Sequence, residues 1–467
     1  MPRLRPYIHP MSFDPEIAAI RFGYGLSPRL AAPESAAAMA AALSGPDTMA
    51  RTYPIPTIMK FAPQVARIQA LQKAKKEGDP TAQARLKAAR KESRVVHSEM
   101  LAASVARAIE SPDGLRERLT RFWADHFTVV GKGPLRLAPA AYVEDAIRPN
   151  VTARFADMLK AVVTHPMMLV YLDQVSSVGP GSQFAANRRA KGRSAGLNEN
   201  LAREVLELHS LGVGGGYDQD DVRQLAELFA GLWANPHKGF TFLQRRGEPG
   251  AEEVLGKIYG AEKPRLADIM AALEDIAHHP DTAAHIARKL AVHFVADEPP
   301  EALVRHLTAR FLDTGGDLMA LYTALLEHPE GWVPLQKVKQ PFGFTTSALR
   351  ALGLSGSDII ALDGRAIGWA FTRPWRLMGQ PWEQPNGPDG WPEEASHWLT
   401  PQGLAVRINW AMELGRLKQI TRPDPRTLVE RALGGQAGER IRFAAKAAES
   451  VEEGVALVLA SPDFQKR

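Results

Sequence analysis

Apolar residues follow the three- and four-residue spacing of amphipathic helices along almost the whole chain. This spacing predicts helices over residues 15–20, 33–43, 62–77, 81–109 and 115–127, with others further along. It fades only between residues 233 and 260, where 239–244 is the one segment that could form a short strand. The pattern therefore predicts a mainly α fold with little or no β structure.

Ser-Pro and His-Pro steps separate many of the predicted helices. Proline at the first helical position lacks only an N–H that would be unpaired there, and it moves the residue before it out of helical geometry. The residues that precede these prolines are Ser111, His165, His279, His328 and Ser461. We interpret the histidines among them as helix caps rather than catalytic groups, and we expect packed helical hairpins.

One large helical domain is expected over residues 1–467. Its sub-regions are N-terminal helices over 1–110, a central helical core over 111–335, and C-terminal helices with a Trp-rich loop over 336–467. The loop segment 378–392 is too rich in proline and glycine for a helix and contains two tryptophans. Such loops line a pocket or close the end of a helical bundle, and we favour closure.

Composition narrows the classes of function. The 57 basic and 52 acidic residues leave a net charge of +5, which is too small to indicate a dedicated nucleic-acid-binding protein. The absence of cysteine excludes disulfides, thiolate metal sites, iron–sulfur clusters and a cysteine nucleophile. The sequence does not indicate the oligomeric state.

No stretch approaches the roughly 18 apolar residues that a membrane span needs. Residues 1–10 lack an apolar run of signal-peptide length. A cytoplasmic location is therefore the default expectation, and export together with a partner protein stays open.

The helix predicted over 198–211 carries the most ionisable groups per turn. Leu201, Val205 and Leu208 form its apolar stripe, and Gly212 is expected to end it. A separate polar arc contains Asn200, Arg203, Glu204 and Glu207. Two interpretations stay open: a catalytic site in which Glu204 or Glu207 is a base and Arg203 holds an anion, or a buried hydrogen-bonded network that fixes helix packing.

Three predicted helices each place one histidine in an apolar stripe. These residues are His126, His209 and His293. Burial favours the neutral imidazole, and three such rings on neighbouring helices could bind a divalent metal ion. We favour three hydrogen-bonded core histidines, and the cofactor stays unknown. On the helix of His126, the side chains of Arg118, Arg121 and Asp125 are expected to point away from the core.

The glycine-rich segment 212–221 does not fit a phosphate-binding loop. It follows a helix rather than a strand, and it contains no lysine. We expect Asp218 to cap the next helix, with Asp221 at its third position.

Nine motifs resemble those of the bacterial "domain of unknown function eighteen hundred" family, and the resemblance spans essentially the whole chain. The motifs are residues 21–28 (RFGYGLSP), 122–127 (FWADHF), 198–212, 217–222 (YDQDDV), 288–295, 338–341 (VKQP), 378–381 (MGQP), 390–392 (GWP) and 459–465 (LASPDFQ). Within them we take Arg21, Trp123, Asn198 and Trp391 as candidate binding residues. The chain departs from exported members in lacking an evident signal segment, and from the common motif in having Asp218 in place of threonine or serine.

The resemblance implies no reaction, because the family has no established activity. Its members are often encoded beside a sulfatase-like family, which implies a sulfatase-like protein partner. We therefore carry two functional hypotheses. The first is a partner or assembly factor for that protein, and the second is a non-classical helical hydrolase, with or without a metal ion. In the second, Glu204 or Glu207 is the base, Arg203 holds an anionic group, and His126 or His209 completes the site.

Overall fold

The computed structural model describes residues 12–235, 239–414, 417 and 420–467. Segment 1–10, whose composition predicts no signal peptide, lies outside the described residues. The described chain is mainly helical, as the apolar spacing predicts.

The N-terminal part contains two long antiparallel helices after several short ones. Its α-helices are α1 (Pro15–Ile17), α2 (Ala36–Ser44), α3 (Thr48–Thr52), α4 (Ile58–Lys76) and α5 (Ala82–Glu110). The central part contains α6 (Gly114–His126), α7 (Pro139–Tyr142), α8 (Phe155–Val163), α9 (Pro166–Tyr171), α10 (Gln183–Arg189), α11 (Asn200–Glu204), α12 (Gln219–Phe229), α13 (Leu266–Ala277), α14 (Pro280–Phe294), α15 (Glu301–Asp313) and α16 (Leu318–Glu327).

The C-terminal part is also built of short helices. They are α17 (Pro341–Ala351), α18 (Gly356–Ile360), α19 (Gly364–Ile367), α20 (Arg373–Leu377), α21 (Ala395–Trp398), α22 (Pro401–Glu413), α23 (Pro425–Leu433), α24 (Glu439–Ala447), α25 (Val451–Ala460) and α26 (Pro462–Gln465). Single 3₁₀ turns connect several helices, at Gly133–Leu135, Arg148–Asn150, Gln174–Ser176, Gln244–Arg246, Pro329–Trp332 and Gly434–Gln436.

Side-chain caps begin many of these helices. The His165, His279 and His328 rings each accept a hydrogen bond from the backbone N–H two residues later, which confirms their prediction as caps. Asp218 and Asp221 form a reciprocal capping box at α12, as predicted. The rings of these three histidines therefore serve as helix caps.

Four segments of the described chain wind as π-helix, with one extra residue in the turn. They are Ala18–Phe22, Val143–Ile147, Val205–His209 and Gly368–Thr372. The predicted helix over 198–211 therefore consists of the short α11 followed by a π turn, and Gly212 ends it at φ +90°. Turns of this kind are frequent at functional sites.

The sequence predicts one strand, over 239–244, whereas the described chain contains four. Strand β1 (Leu232–Asn235) pairs antiparallel with β2 (Gly239–Phe242), and β3 (Gly250–Val254) pairs antiparallel with β4 (Lys257–Ala261). Each pair is too short to show a clear alternation of apolar and polar residues, which explains why the pattern missed three of these strands.

Two large clusters of buried apolar side chains form the core. The first extends from Ile17 to Trp332, and the second joins Tyr24 and part of α5 to the helices after residue 341. Long α5 contributes to the second cluster and packs along α4 and α18. None of the helices in the described part of the chain combines the length and the hydropathy that a membrane crossing requires.

Candidate functional site

A cavity of about 130 Å³ lies beside the polar face of α6. Its walls include α5, α6, α14, the start of α17 and the loop after α20. Besides the ion pairs Glu117–Arg148 and Glu144–Arg107, the charged or polar residues that line it are Ser104, Arg118, Thr120, Arg121, Asp125, Thr128, His293, Gln340 and Glu383, and its aromatic residues are Tyr24, Tyr142, Phe342, Trp382 and Trp391. The cavity therefore combines charged groups with aromatic surface, which is typical of a ligand site.

Arg118 is a buried arginine, only 7% exposed, that has no oxygen atom as hydrogen-bond acceptor among the described residues. Its Nη2 lies 3.2 Å from the Nε2 atom of His293, and its Nε has no partner. Burial lowers the pKa of Arg118. The other buried arginines of the described chain all donate to oxygen atoms; they are Arg21, Arg107, Arg116, Arg148, Arg350, Arg407 and Arg467.

Arg121 lies close to one helical turn from Arg118 and is held by aromatic rings. Its guanidinium carbon lies 3.8 Å from the ring centre of Phe342 and 5.2 Å from that of Trp382. Such stacking uses the face of the guanidinium group and leaves its N–H edge available. No ion pair or hydrogen bond to a carboxylate involves Arg121 within the described residues. Two guanidinium groups thus line one cavity, and neither donates to an oxygen atom within the described residues.

His293 holds Arg118 in position through the contact with its Nη2 atom. Its Nδ1 lies 2.5 Å from an oxygen of Glu393, and its Nε2 contacts Arg118 and Arg467. Guanidinium groups only donate, so Nε2 must accept and the proton must be on Nδ1. Burial lowers the pKa of His293, which favours this neutral ring. His293 is therefore a hydrogen-bonded positioning group.

Glu393 is the carboxylate that compensates for the positive charges in this part of the site. Burial raises the pKa of Glu393, but its contact with His293 and the Lys337 ammonium group overcome that effect and lower it. Lys337 lies 3.2 Å from one carboxylate oxygen of Glu393, and Arg467 lies at the same distance. Glu393 is already surrounded by these cations and does not form an ion pair with Arg118.

Asp125 links α6 to the loop that covers the cavity. Its Oδ1 accepts a hydrogen bond of 2.9 Å from the backbone N–H of Trp391. Gly390 permits this approach, because its φ is +82° and an added Cβ would lie 2.6 Å from the Asp125 carbonyl oxygen. Burial, with Glu393 nearby, raises the pKa of Asp125 to about 7. A carboxyl group in this range can exchange a proton near neutral pH.

The polar arc predicted over 198–211, with Asn200, Arg203, Glu204 and Glu207, does not line this cavity. Asn200 is exposed, and the Arg203 side chain is 40% exposed and pairs with Glu199 and Gln219 at the surface. The prediction of a buried Asn/Arg/Glu network is therefore wrong, because Asn200 and Arg203 lie at the surface. Glu204 and Glu207 are half-buried, and burial, followed by Glu207 and Asp389, raises the pKa of Glu204.

The three predicted metal-binding histidines do not come together. The ring centres of His126 and His209 are 6.2 Å apart, and His285 rather than His293 is the third ring, 6.1 Å from His126. Burial, with repulsion from Lys289, lowers the pKa of His209 to about 3. Within the described residues, no group of three or more histidine, aspartate and glutamate side chains is arranged to hold a metal ion.

The four predicted binding residues do not lie together in one site. Arg21 donates to the carbonyl groups of Gly331, Val333 and Pro334. Trp123 is fully buried and donates to the hydroxyl of Tyr322. Asn198 caps the segment before α11 by accepting from the N–H of Asn200. Trp391 alone among the four lines the cavity.

One feature of the sequence points to the cavity, but the spacing of apolar residues alone does not identify it. Arg118, Arg121 and Asp125 share the polar face of α6, and such a face ordinarily contacts solvent. In the structure the loop after α20 covers that face and converts it into a cavity wall. Local spacing does not reveal a contact between segments more than 250 residues apart.

The comparisons with known proteins give one finding. A family model described as "Protein of unknown function (DUF1800)" matches residues 17–466, which include every residue that lines the cavity. The searches of curated proteins and of solved structures find no match.

Proposed function

The chain belongs to the DUF1800 family of proteins of unknown function, and from the geometry of its cavity we propose that it binds a small oxyanion there. The ligand class is a carboxylate, phosphate or sulfate group. The observation that supports the proposal is the buried Arg118 guanidinium, which lacks an oxygen acceptor beside a cavity.

Electrostatics favours this ligand class. A buried charge is costly unless another charge or a set of hydrogen bonds compensates for it. An oxyanion would supply oxygen acceptors to Arg118 and Arg121 together, in the bidentate geometry that guanidinium groups favour. The Glu393–His293 pair holds Arg118 through Nη2, and the Nη1 group of Arg118 has no hydrogen-bond partner within the described residues.

Isothermal titration calorimetry with phosphate, sulfate and acetate tests the proposal. We expect at least one of them to bind, and Arg118→Gln to weaken it by roughly ten- to a hundredfold, because each charge-assisted hydrogen bond contributes about 1.5–3 kcal/mol. Arg121→Gln should weaken binding in the same direction.

Arg288→Gln is the matched control, since Arg288 is an exposed arginine of α14 that pairs with Glu301. It should leave the affinity unchanged. The proposal is wrong if none of the three anions binds, or if Arg118→Gln binds them as tightly as the unaltered protein.

A hydrolase centred on α11 is the second candidate. The raised pKa of Glu204 favours it, because a carboxyl group with that shift is suited to accept a proton in catalysis. Here Glu204 or Glu207 is the base, and Arg203 and Asn200 bind the substrate. Hydrolysis of 4-nitrophenyl esters of acetate, phosphate and sulfate tests it, and activity that survives in both Glu204→Gln and Glu207→Gln would exclude this role.

The sulfatase-like partner is a further proposal, and only the family resemblance supports it. The exposed Glu199–Arg203–Gln219 network gives such a partner polar groups to contact. Co-purification of the two proteins tests the idea. The complex should weaken on substitution of Arg203 by alanine, and a complex that forms equally well would remove the network from the contact.

A further inference from the structure

Glu383 stands out in the loop that covers the cavity. It adopts φ +55°, a left-handed conformation that side chains other than glycine rarely take. Its Oε2 atom is buried and has no hydrogen-bond partner in the part of the chain that the structure describes. Backbone strain of this kind persists where surrounding contacts impose it, and it concentrates at ligand sites.

We propose that the cavity binds a small zwitterion, whose anionic group contacts Arg118 and Arg121 and whose ammonium group contacts Glu383. This inference rests on the proposed anion site and adds the class of its ligand. Short aminocarboxylates are the simplest molecules with both groups.

Packing of the residue before Glu383 holds the strained conformation. The Trp382 ring stacks on Phe342 with ring centres 6.0 Å apart, and it lies 5.7 Å from that of Trp375. Arg121 also lies over the Trp382 ring. The same aromatic group therefore contacts Arg121 and adjoins Glu383, and both residues line one cavity.

The other carboxylates in the cavity wall already have partners. Glu117 pairs with Arg148, and Glu144 pairs with Arg107. Asp125 accepts the N–H of Trp391. Glu383 makes no hydrogen bond within the described residues, and its one ionic contact there is with His97, at 3.5 Å between Oε2 and Nε2.

An ammonium group fits the environment of Glu383. It carries a positive charge and three donors, so it can satisfy a desolvated carboxylate oxygen that a neutral donor would leave uncompensated. Cavity size limits the ligand. A cavity of about 130 Å³ is slightly smaller than engineered cavities of roughly 150 Å³ that hold benzene. The expected ligand has on the order of six non-hydrogen atoms.

Calorimetric titration with matched pairs of ligands tests the inference. The pairs are glycine with acetate, β-alanine with propionate, and 4-aminobutyrate with butyrate. Within at least one pair, the amino compound should bind about tenfold more tightly than the carboxylate without the amine, as one charge-assisted hydrogen bond contributes.

Glu383→Gln should remove this preference, because it removes the negative charge that the ammonium group contacts. Glu383→Gly is the second variant, since it removes the carboxylate and also relieves the left-handed strain, so it should fold at least as well. Glu394→Gln is the matched control, because Glu394 is an exposed residue of the same loop that does not line the cavity. It should keep the preference.

The outcomes separate the inference from the proposed function. Carboxylates that bind through Arg118 with no preference for an amine would overturn the zwitterion and leave the anion site intact. A preference that survives in Glu383→Gln and Glu383→Gly would also overturn it. If no carboxylate, phosphate or sulfate binds, the anion site fails and the zwitterion fails with it.

Discussion

A buried guanidinium group is stable when oxygen atoms replace the water that it loses. Arg350 shows the usual solution in this protein, since it donates to the carbonyl groups of Gly25, Ile109 and Ser111. Arg118 on α6 has an imidazole nitrogen and no oxygen. At the scale of single residues, Arg118 therefore carries a cost in stability that Arg350 does not.

Replacement of each arginine by methionine should change stability in opposite directions. We expect Arg118→Met to raise the free energy of unfolding by about 1 kcal/mol, because it removes a buried charge whose described contacts are one imidazole nitrogen and the rings of Tyr24 and Phe294. Arg350→Met should lower it by roughly 3 kcal/mol, because it leaves buried carbonyl groups without donors. Denaturant unfolding without added ligand measures both. A loss of stability in Arg118→Met equal to that in Arg350→Met would show that Arg118 is a structural residue.

At the scale of elements, the π turn Val205–His209 places His209 against α6 and α14. His209 is 1% exposed, and among the described residues neither of its ring nitrogens has a hydrogen-bond partner. Its neighbours His126 and His285 also have lowered pKa values, with burial as the main cause. All three rings are therefore neutral at pH 7.

This cluster should make the protein sensitive to acid. The pKa of His209 is about 3 in the folded state and near 6.5 in an unfolded chain, so the unfolded state binds more protons between these values. The free energy of unfolding should fall as pH falls below about 6.5, by roughly 1 kcal/mol per pH unit for each such histidine.

His209→Leu should reduce that slope between pH 6.5 and pH 4.5. Urea titrations at a series of pH values measure it, with His397→Leu, an exposed residue of α21, as the control. An unchanged slope in His209→Leu would mean that this ring does not titrate as its burial requires.

Individual elements differ in how well the sequence predicts them. The helices could be predicted, because apolar spacing and caps such as Asp218 act within a few residues. The strands of the two hairpins are four or five residues long, which is too short for a clear period. The cavity depends on the loop that brings Trp391 to Asp125, and no local pattern encodes that contact.

At the scale of the whole molecule, residues near the two ends of the described chain contact segments that are distant in sequence. Glu16 accepts a hydrogen bond from the N–H of Gly435, and Arg21 donates to carbonyl groups near Val333. A backbone bridge also pairs Val338 with Lys466. The contact between Glu16 and Gly435 joins segments that belong to the two apolar clusters, and one large domain over residues 1–467 stays a prediction.

The linked clusters should unfold together. We expect one transition in urea, with the same midpoint by tryptophan fluorescence and by helical circular dichroism. Arg350→Met, which leaves the buried carbonyl groups of Gly25 and Ile109 without a donor, should shift both midpoints equally. Two separate transitions, one for each cluster, would contradict a single domain.

The anion site beside α6 is the central claim, and diffraction tests it most directly. Crystals soaked in selenate, an anomalously scattering analogue of sulfate, would reveal bound oxyanions by their selenium signal. We predict a selenium peak in the cavity, with its oxygen atoms within hydrogen-bond distance of Arg118 and Arg121, and no such peak in Arg118→Gln. Selenate found only at other sites would contradict the claim.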